Sequence, residues 1–75
     1  MEQKGDRMSK YRFLLTMKNH QPVYVWGNDQ RDVVNKHVMY PDEVAILGGI
    51  LVRVEIEHNK LKATRIGTVE FVGVI

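Results

Sequence analysis

Between Tyr11 and Lys18 the chain alternates: Tyr11, Phe13, Leu15 and Met17 are apolar, Arg12, Thr16 and Lys18 are polar, and only Leu14 breaks the period of two. Successive side chains of a strand point to opposite faces, so this pattern predicts a strand buried on one side. The turn formers "NHQP" follow, with Pro22 fixing its own φ and pushing Gln21 toward an extended conformation. A hairpin to a second strand, Val23–Trp26, is expected. On it Val23 and Val25 share one face and Tyr24 and Trp26 the other, so the two pairs cannot enter the same core. The valines suit the buried face of a two-layer domain, whereas the aromatics are large enough to dominate whichever face they join. From sequence, Trp26 reads equally well as a core residue and as an exposed or subunit-interface anchor.

The period then changes. Gly27 ends the strand, Asn28 or Asp29 can cap a helix, and a helix is predicted from about Gln30 to Met39. Val33, Val34, His37 and Val38 form its inner side and Arg31, Asn35 and Lys36 its outer side. A helix this short depends on packing against a sheet. In "YPDEVAIL", Pro41 with Asp42 and Glu43 behind it favours a second helical turn through Ala45, closed by Gly48 and Gly49; an irregular linker is the alternative.

"ILVRVEIE" is the most strongly patterned stretch: Ile50, Val52, Val54 and Ile56 make a continuous apolar face, with Arg53, Glu55 and Glu57 facing away. A turn at 58–60 leads to an antiparallel partner, Leu61 to Ile66, whose Lys62 and Arg65 are placed to pair with Glu55 or Glu57. Gly67 marks a bulge or bend, after which Val69, Phe71 and Ile75 form a last strand. The predicted fold is α+β, a small single-layer antiparallel sheet in the order ββαβββ with one short helix packed on one face. Residues 10–75 form a single domain and residues 1–9 a disordered tail or translated leader. Lys4, Gly5 and Asp6 can be encoded by a purine-rich stretch resembling a bacterial ribosome-binding site, with Met8 suitably spaced behind it. Translation is then expected to start at Met8 rather than Met1, in a bacterial or phage gene.

Composition narrows the class. Seventy-five residues with 44% hydrophobic and 27% charged side chains make one folded domain, too small to bury much more than roughly 60% of its unfolded surface. Self-association would relieve that thin margin. The chain has no cysteine, which removes disulfides, thiolate metal sites and cysteine nucleophiles. No apolar run approaches the roughly 20 residues of a membrane span, and "MEQKGDRMSK" lacks the apolar segment of a secretion signal. A cytoplasmic protein without a membrane partner is expected.

The net charge of +2 is distributed unevenly. Residues 1–18 hold five basic and two acidic side chains, residues 19–49 two and four, and residues 50–75 four and three. Phosphate contacts from Lys10, Arg12, Lys18, Lys60, Lys62 and Arg65, with Tyr11, Tyr24 or Trp26 as stacking platforms, would make a nucleic-acid binder. Those residues would need to share one surface, and the predicted first strand puts Arg12 opposite Tyr11.

Catalytic chemistry is poorly supported. Ser9 is the only serine and stands beside the tail, so a nucleophile with its base and orienting acid is not expected. His20, His37 and His58 have no spacing that puts two on one face; no metal and no cofactor are expected. Glu55 and Glu57 stand about 7 Å apart on one strand face, near the separation of acid and base pairs, but catalytic carboxylates need a cleft. Neither "GNDQRD" nor "LGGILV" has the glycine spacing and following helix of a phosphate loop.

The expectation is therefore a noncatalytic protein-interaction module, not an enzyme. It would be a phage or prophage accessory protein that binds a host protein or self-associates through a strand edge or through Tyr24, Trp26 and Phe71. The alternatives are the nucleic-acid binder above and an oligomer that holds a small molecule such as a nucleotide at a subunit junction.

Overall fold

The computed structural model describes residues 10–74, and the first hairpin forms as the alternation predicts. β1 (Tyr11–Met17) pairs antiparallel with β2 (Val23–Gly27), with Phe13 opposite Val25 and Arg12 opposite Trp26. Phe13, Leu15 and Val25 are buried while Tyr24 and Trp26 are 62% and 43% exposed. Val25 therefore enters the core, while Val23 on the same face is 49% exposed and the aromatic face stays outside the core. Both tail and leader expectations, and Ile75, lie outside the described residues.

The helix α1 spans Gln30–His37. Its N-terminus is capped twice: the Asp29 carboxylate accepts from the Asp32 N–H at 2.7 Å, and the Asp32 carboxylate accepts from the Asn28 N–H at 2.8 Å. Two free donors are satisfied reciprocally, as in a capping box. The helix stops two residues earlier than the periodicity predicts. Val38 is already extended, its N–H bonded to the Val34 carbonyl, and His37, expected on the inner side, is exposed. Tyr40 adopts a left-handed conformation (φ 57°, ψ 50°) ahead of Pro41, which takes the chain out of helical geometry.

The second helical turn is a short 3-10 turn, Pro41–Glu43, and the chain then becomes strand β3 (Val44–Leu47). β3 pairs with β4 (Ile50–Glu57) through Gly48 and Gly49. Both glycines have positive φ, 59° and 89°, the requirement of the two-residue turn whose twist matches antiparallel strands. The glycine pair is a hairpin turn and not a helix terminator. β4 turns through His58 and Asn59, also at positive φ, into β5.

β5 runs unbroken from Lys60 to Val74, so the two strands expected at 61–66 and from 69 onward are one. The bend predicted at Gly67 is present as a bulge: Val52 faces Arg65, Leu51 faces Gly67, and Ile66 is the extra residue. A second bulge at Val72 lies against Arg12 and Phe13. β5 joins two half-sheets, pairing with β4 up to Thr68 and with β1 from Gly67 on. The sheet order is β2-β1-β5-β4-β3, an open five-stranded antiparallel sheet with one helix on it in the predicted order ββαβββ.

The core consists of Phe13, Leu15, Val25, Val33, Val34, Val38, Val44, Leu51 and Val69, with Tyr11, Met17, Ile46 and Ile66 packed at its margin. Arg31, expected to face outward, ties the layers together: its guanidinium donates to the carbonyls of Pro41 at 3.2 Å and Val44 at 2.8 Å. At Gly67 any Cβ would meet the Thr16 carbonyl oxygen at a forbidden distance, which explains why β1 and β5 approach so closely there.

Candidate interaction surfaces

β4 alternates as its sequence predicts, but the apolar side is not the side the helix covers. Leu51 is the β4 residue in the core and has no exposed surface. Arg53, opposite buried Val44, and then Glu55 and Glu57 follow Leu51 on that face. Ile50, Val52, Val54 and Ile56 point the other way. The register adds their neighbours: Leu47 and Ala45 from β3, Leu61, Ala63, Arg65, Thr68 and Glu70 from β5, Arg12, Leu14 and Thr16 from β1, and Tyr24 and Trp26 from β2. No described element covers this second face. Ile56 and Leu61 are each 76% exposed and Leu47 60%.

The far part of the β4–β5 hairpin stands out from the sheet. β3 ends its pairing at Arg53, and β1 ends at Gly67, so residues 54–63 form a two-stranded arm. The fold is correspondingly long, 46 × 23 × 20 Å, with a radius of gyration of 13.5 Å against about 11 Å for a compact chain of this length. The outer strands β2 and β3 have five and four residues, and edges that short are poor templates for strand addition. The broad apolar feature is a face, not an edge.

Tyr24 and Trp26 lie at one end of this face with Arg12, whose guanidinium sits 4.6 Å from the Trp26 ring centre and 5.9 Å from that of Tyr24. Arg12 is opposite Tyr11 but shares a surface with these two aromatics, which removes one objection to a stacking platform. Phe71 is elsewhere. It faces Phe13 across β1 and β5 and makes edge-on contacts with Phe13 at 5.8 Å and Tyr11 at 5.9 Å, on the helix side. The three residues expected to bind a partner together occupy two faces.

The six basic residues do not share one surface. Lys10 and Arg12 are at the start of β1, Lys18 borders the helix-side groove, Lys60 and Lys62 are on the helix side of the arm, and Arg65 is on the uncovered face. Lys62 pairs with Glu57 at 3.5 Å, as expected. Arg65 does not join it, because three residues of strand put the two side chains on opposite faces. Glu55 contacts Arg53 at 3.4 Å, so Glu55 and Glu57 each face a cation on an open strand. His20 and His37 border the groove and His58 is at the arm's tip; among the described residues no three potential metal ligands cluster.

The groove, about 960 Å³, lies on the helix side between the end of α1, β1, β2 and Arg53. Leu15, Val25 and Val38 form part of its lining, Tyr40 stands beside Arg53 with the guanidinium 4.7 Å from its ring centre, and Lys18 and Lys36 border it. Its cations are largely answered within the chain. Lys36 lies 3.1 Å from Asp32, and Arg53 lies 2.9 Å from Glu43. Asp32 is held below the ordinary carboxylate range chiefly by the Asn28 N–H; burial opposes this, and the Lys36 ammonium adds to the lowering. The Glu43 hydrogen bond raises the pKa of Arg53 further.

Compared with known protein families, characterised proteins and solved structures, the chain matches none. The uncovered apolar face was missed in sequence because the stripe at 50, 52, 54 and 56 resembles a core stripe. The signal that could have found it is the Gly48–Gly49 turn, which fixes β3 beside β4 and brings Ile46 opposite Leu51.

Proposed function

We propose that this chain is a noncatalytic protein-interaction module of the cytoplasm that binds a protein partner through the uncovered face of its sheet, with Tyr24 and Trp26 at one end of the contact. One observation carries this: the strand side that points away from the helix is as apolar as the side beneath it. An antiparallel sheet with one solvated face is normally polar on that face. Here Leu14, Ala45, Leu47, Ile50, Val52, Val54, Ile56, Leu61 and Ala63 share it with three charged residues, Arg12, Arg65 and Glu70. At about 32 Å² per position, from a strand spacing near 4.8 Å and a same-face repeat near 6.7 Å, the eleven apolar positions, Tyr24 and Trp26 included, span about 350 Å². That is within the range of the largest apolar patches monomeric proteins expose, which are often functional.

A host protein bound by a phage or prophage accessory protein is one class of partner that fits. The test is retention from bacterial lysate on immobilised protein, with nuclease and with raised salt, comparing wild type with Ile56→Lys. Ile56 is 76% exposed, so the variant keeps its fold. Wild type is expected to retain a stoichiometric protein, a host protein or soluble copies of the chain added to the lysate, through both treatments and the variant to lose it. Retained material that disappears with nuclease or modest salt would replace this reading with phosphate-driven binding.

A further inference from the structure

The few charges on the uncovered face are arranged to meet themselves. β5 runs through the middle of the sheet, and on its uncovered side it presents, in order, Ala63, Arg65, Thr68 and Glu70, with the bulge at Ile66 keeping them in phase with the rows of β4 and β1. Thr68 lies in the central row with Thr16 and Ile50. Arg65 is one row to one side, opposite Val52, and Glu70 one row to the other, opposite Leu14. Successive same-face rows are about 7 Å apart, so Arg65 and Glu70 flank Thr68 symmetrically and are about 14 Å from each other. Neither has an ion-pair partner among the described residues.

We infer that the occupant of this face is a second copy of the chain, in a two-fold dimer whose axis passes by Thr68 at right angles to β5; the inference rests on the interaction reading above and names its partner. Rotation about that axis stacks the two β5 strands in opposite directions. Arg65 then meets Glu70 of the partner subunit, Glu70 meets Arg65 of the partner subunit, and Thr68 and Ile50 lie over their own copies. Ala63 comes over Gly73 of the partner subunit, two small residues that let the sheets close at that row. The other in-plane two-fold axis, parallel to β5, would put each Arg65 over its own copy, and like charges facing one another across an interface oppose association. A two-fold contact must be self-complementary, and this arrangement satisfies that with the residues present.

Sedimentation equilibrium over a wide concentration range tests this with four proteins: wild type, Arg65→Glu, Glu70→Arg and the double reversal. The two positions are exposed, and far-UV circular dichroism confirms the fold of each. Wild type is expected to be dimeric. Each single reversal places two like-charged pairs in the interface and should raise the dimer Kd about tenfold or more, while the double reversal should return to within about threefold of wild type. A wild type that stays monomeric at every concentration overturns the inference and leaves the search for another protein partner to the lysate experiment. A dimer that ignores the single reversals, or that the double reversal fails to recover, uses another surface or another axis and overturns it equally.

Discussion

The choice between the two sides of β4 can be tested by alanine substitution at Leu51 and Ile56. Leu51 is fully enclosed in the core and Ile56 is 76% exposed on the arm. Truncating a buried leucine removes transfer free energy and leaves a cavity, together about 2–5 kcal/mol. A chain of this length has about 4–11 kcal/mol in all, so Leu51→Ala removes a large share of it. Taking about 3 kcal/mol, the melting temperature falls by about 12–24 °C, since about 4–8 °C accompanies each kcal/mol in a domain this small. Ile56→Ala should stay within about 0.5 kcal/mol of wild type in the monomer. Urea denaturation followed by far-UV circular dichroism at several protein concentrations measures both. At low concentration only Leu51→Ala moves the midpoint. At high concentration Ile50→Ala, on the central row of the proposed dimer, also loses stability, because dissociation is then part of unfolding. If Ile56→Ala costs as much as Leu51→Ala at every concentration, the assignment of the faces is wrong.

Other substitutions probe the joints of the fold. Gly67→Ala should cost at least about 2 kcal/mol in chemical denaturation, because its Cβ meets backbone at Thr16 and lies 3.1 Å from the Met17 Cα. Gly73→Ala, with nothing within 4 Å, should stay within about 0.5 kcal/mol. Arg31→Ala removes the hydrogen bonds from α1 to Pro41 and Val44 and should cost about 1–2 kcal/mol in the same assay. Asp32 has a folded pKa below its unfolded value near 3.9. The stability it contributes is therefore complete above that value and is lost as pH falls through the lower folded one. Stability measured against pH in Asp32→Asn should lack that part of the acid limb.

Where local pattern and tertiary packing agree, the fold is legible without coordinates. The alternation of Tyr11–Met17 has one face buried, the Asp29 cap sits where turn chemistry puts it, and the bend at Gly67 is real. The losses have physical causes. Helical periodicity through Val38 and Met39 could not anticipate that Tyr40 leaves helical geometry before Pro41. In "VAILGGIL" a short apolar run suits a strand or a helix equally, and the glycine pair decides between them through its φ values. Tyr24 and Trp26 were identifiable as a pair, but which face was buried depended on where the helix lies, and that is set by Val33 and Val34 packing beside Val25 and Leu51. Phe71 could be grouped with them only while its register against Phe13 was unknown.

The exposed apolar face follows from the dimensions of so small a chain. An eight-residue helix is about 12 Å long, whereas five strands at about 4.8 Å span about 19 Å and a fifteen-residue strand about 50 Å. One such helix covers the middle of one face and no more. Past its reach, the arm has two sides equally distant from the core. Water alone would make them alike, but they differ: Glu55, Glu57, Lys60 and Lys62 occupy one, and Val54, Ile56, Leu61 and Ala63 the other. Strand propensity accounts for β-branched residues at Val54 and Ile56 on either side; it does not account for Leu61, nor for confining every charge to one side of a free hairpin. That segregation is what an arm needs when one side stays in water and the other lies against protein. The same stripe continues through Val52 and Ile50 onto the sheet proper, so arm and sheet present one continuous apolar surface.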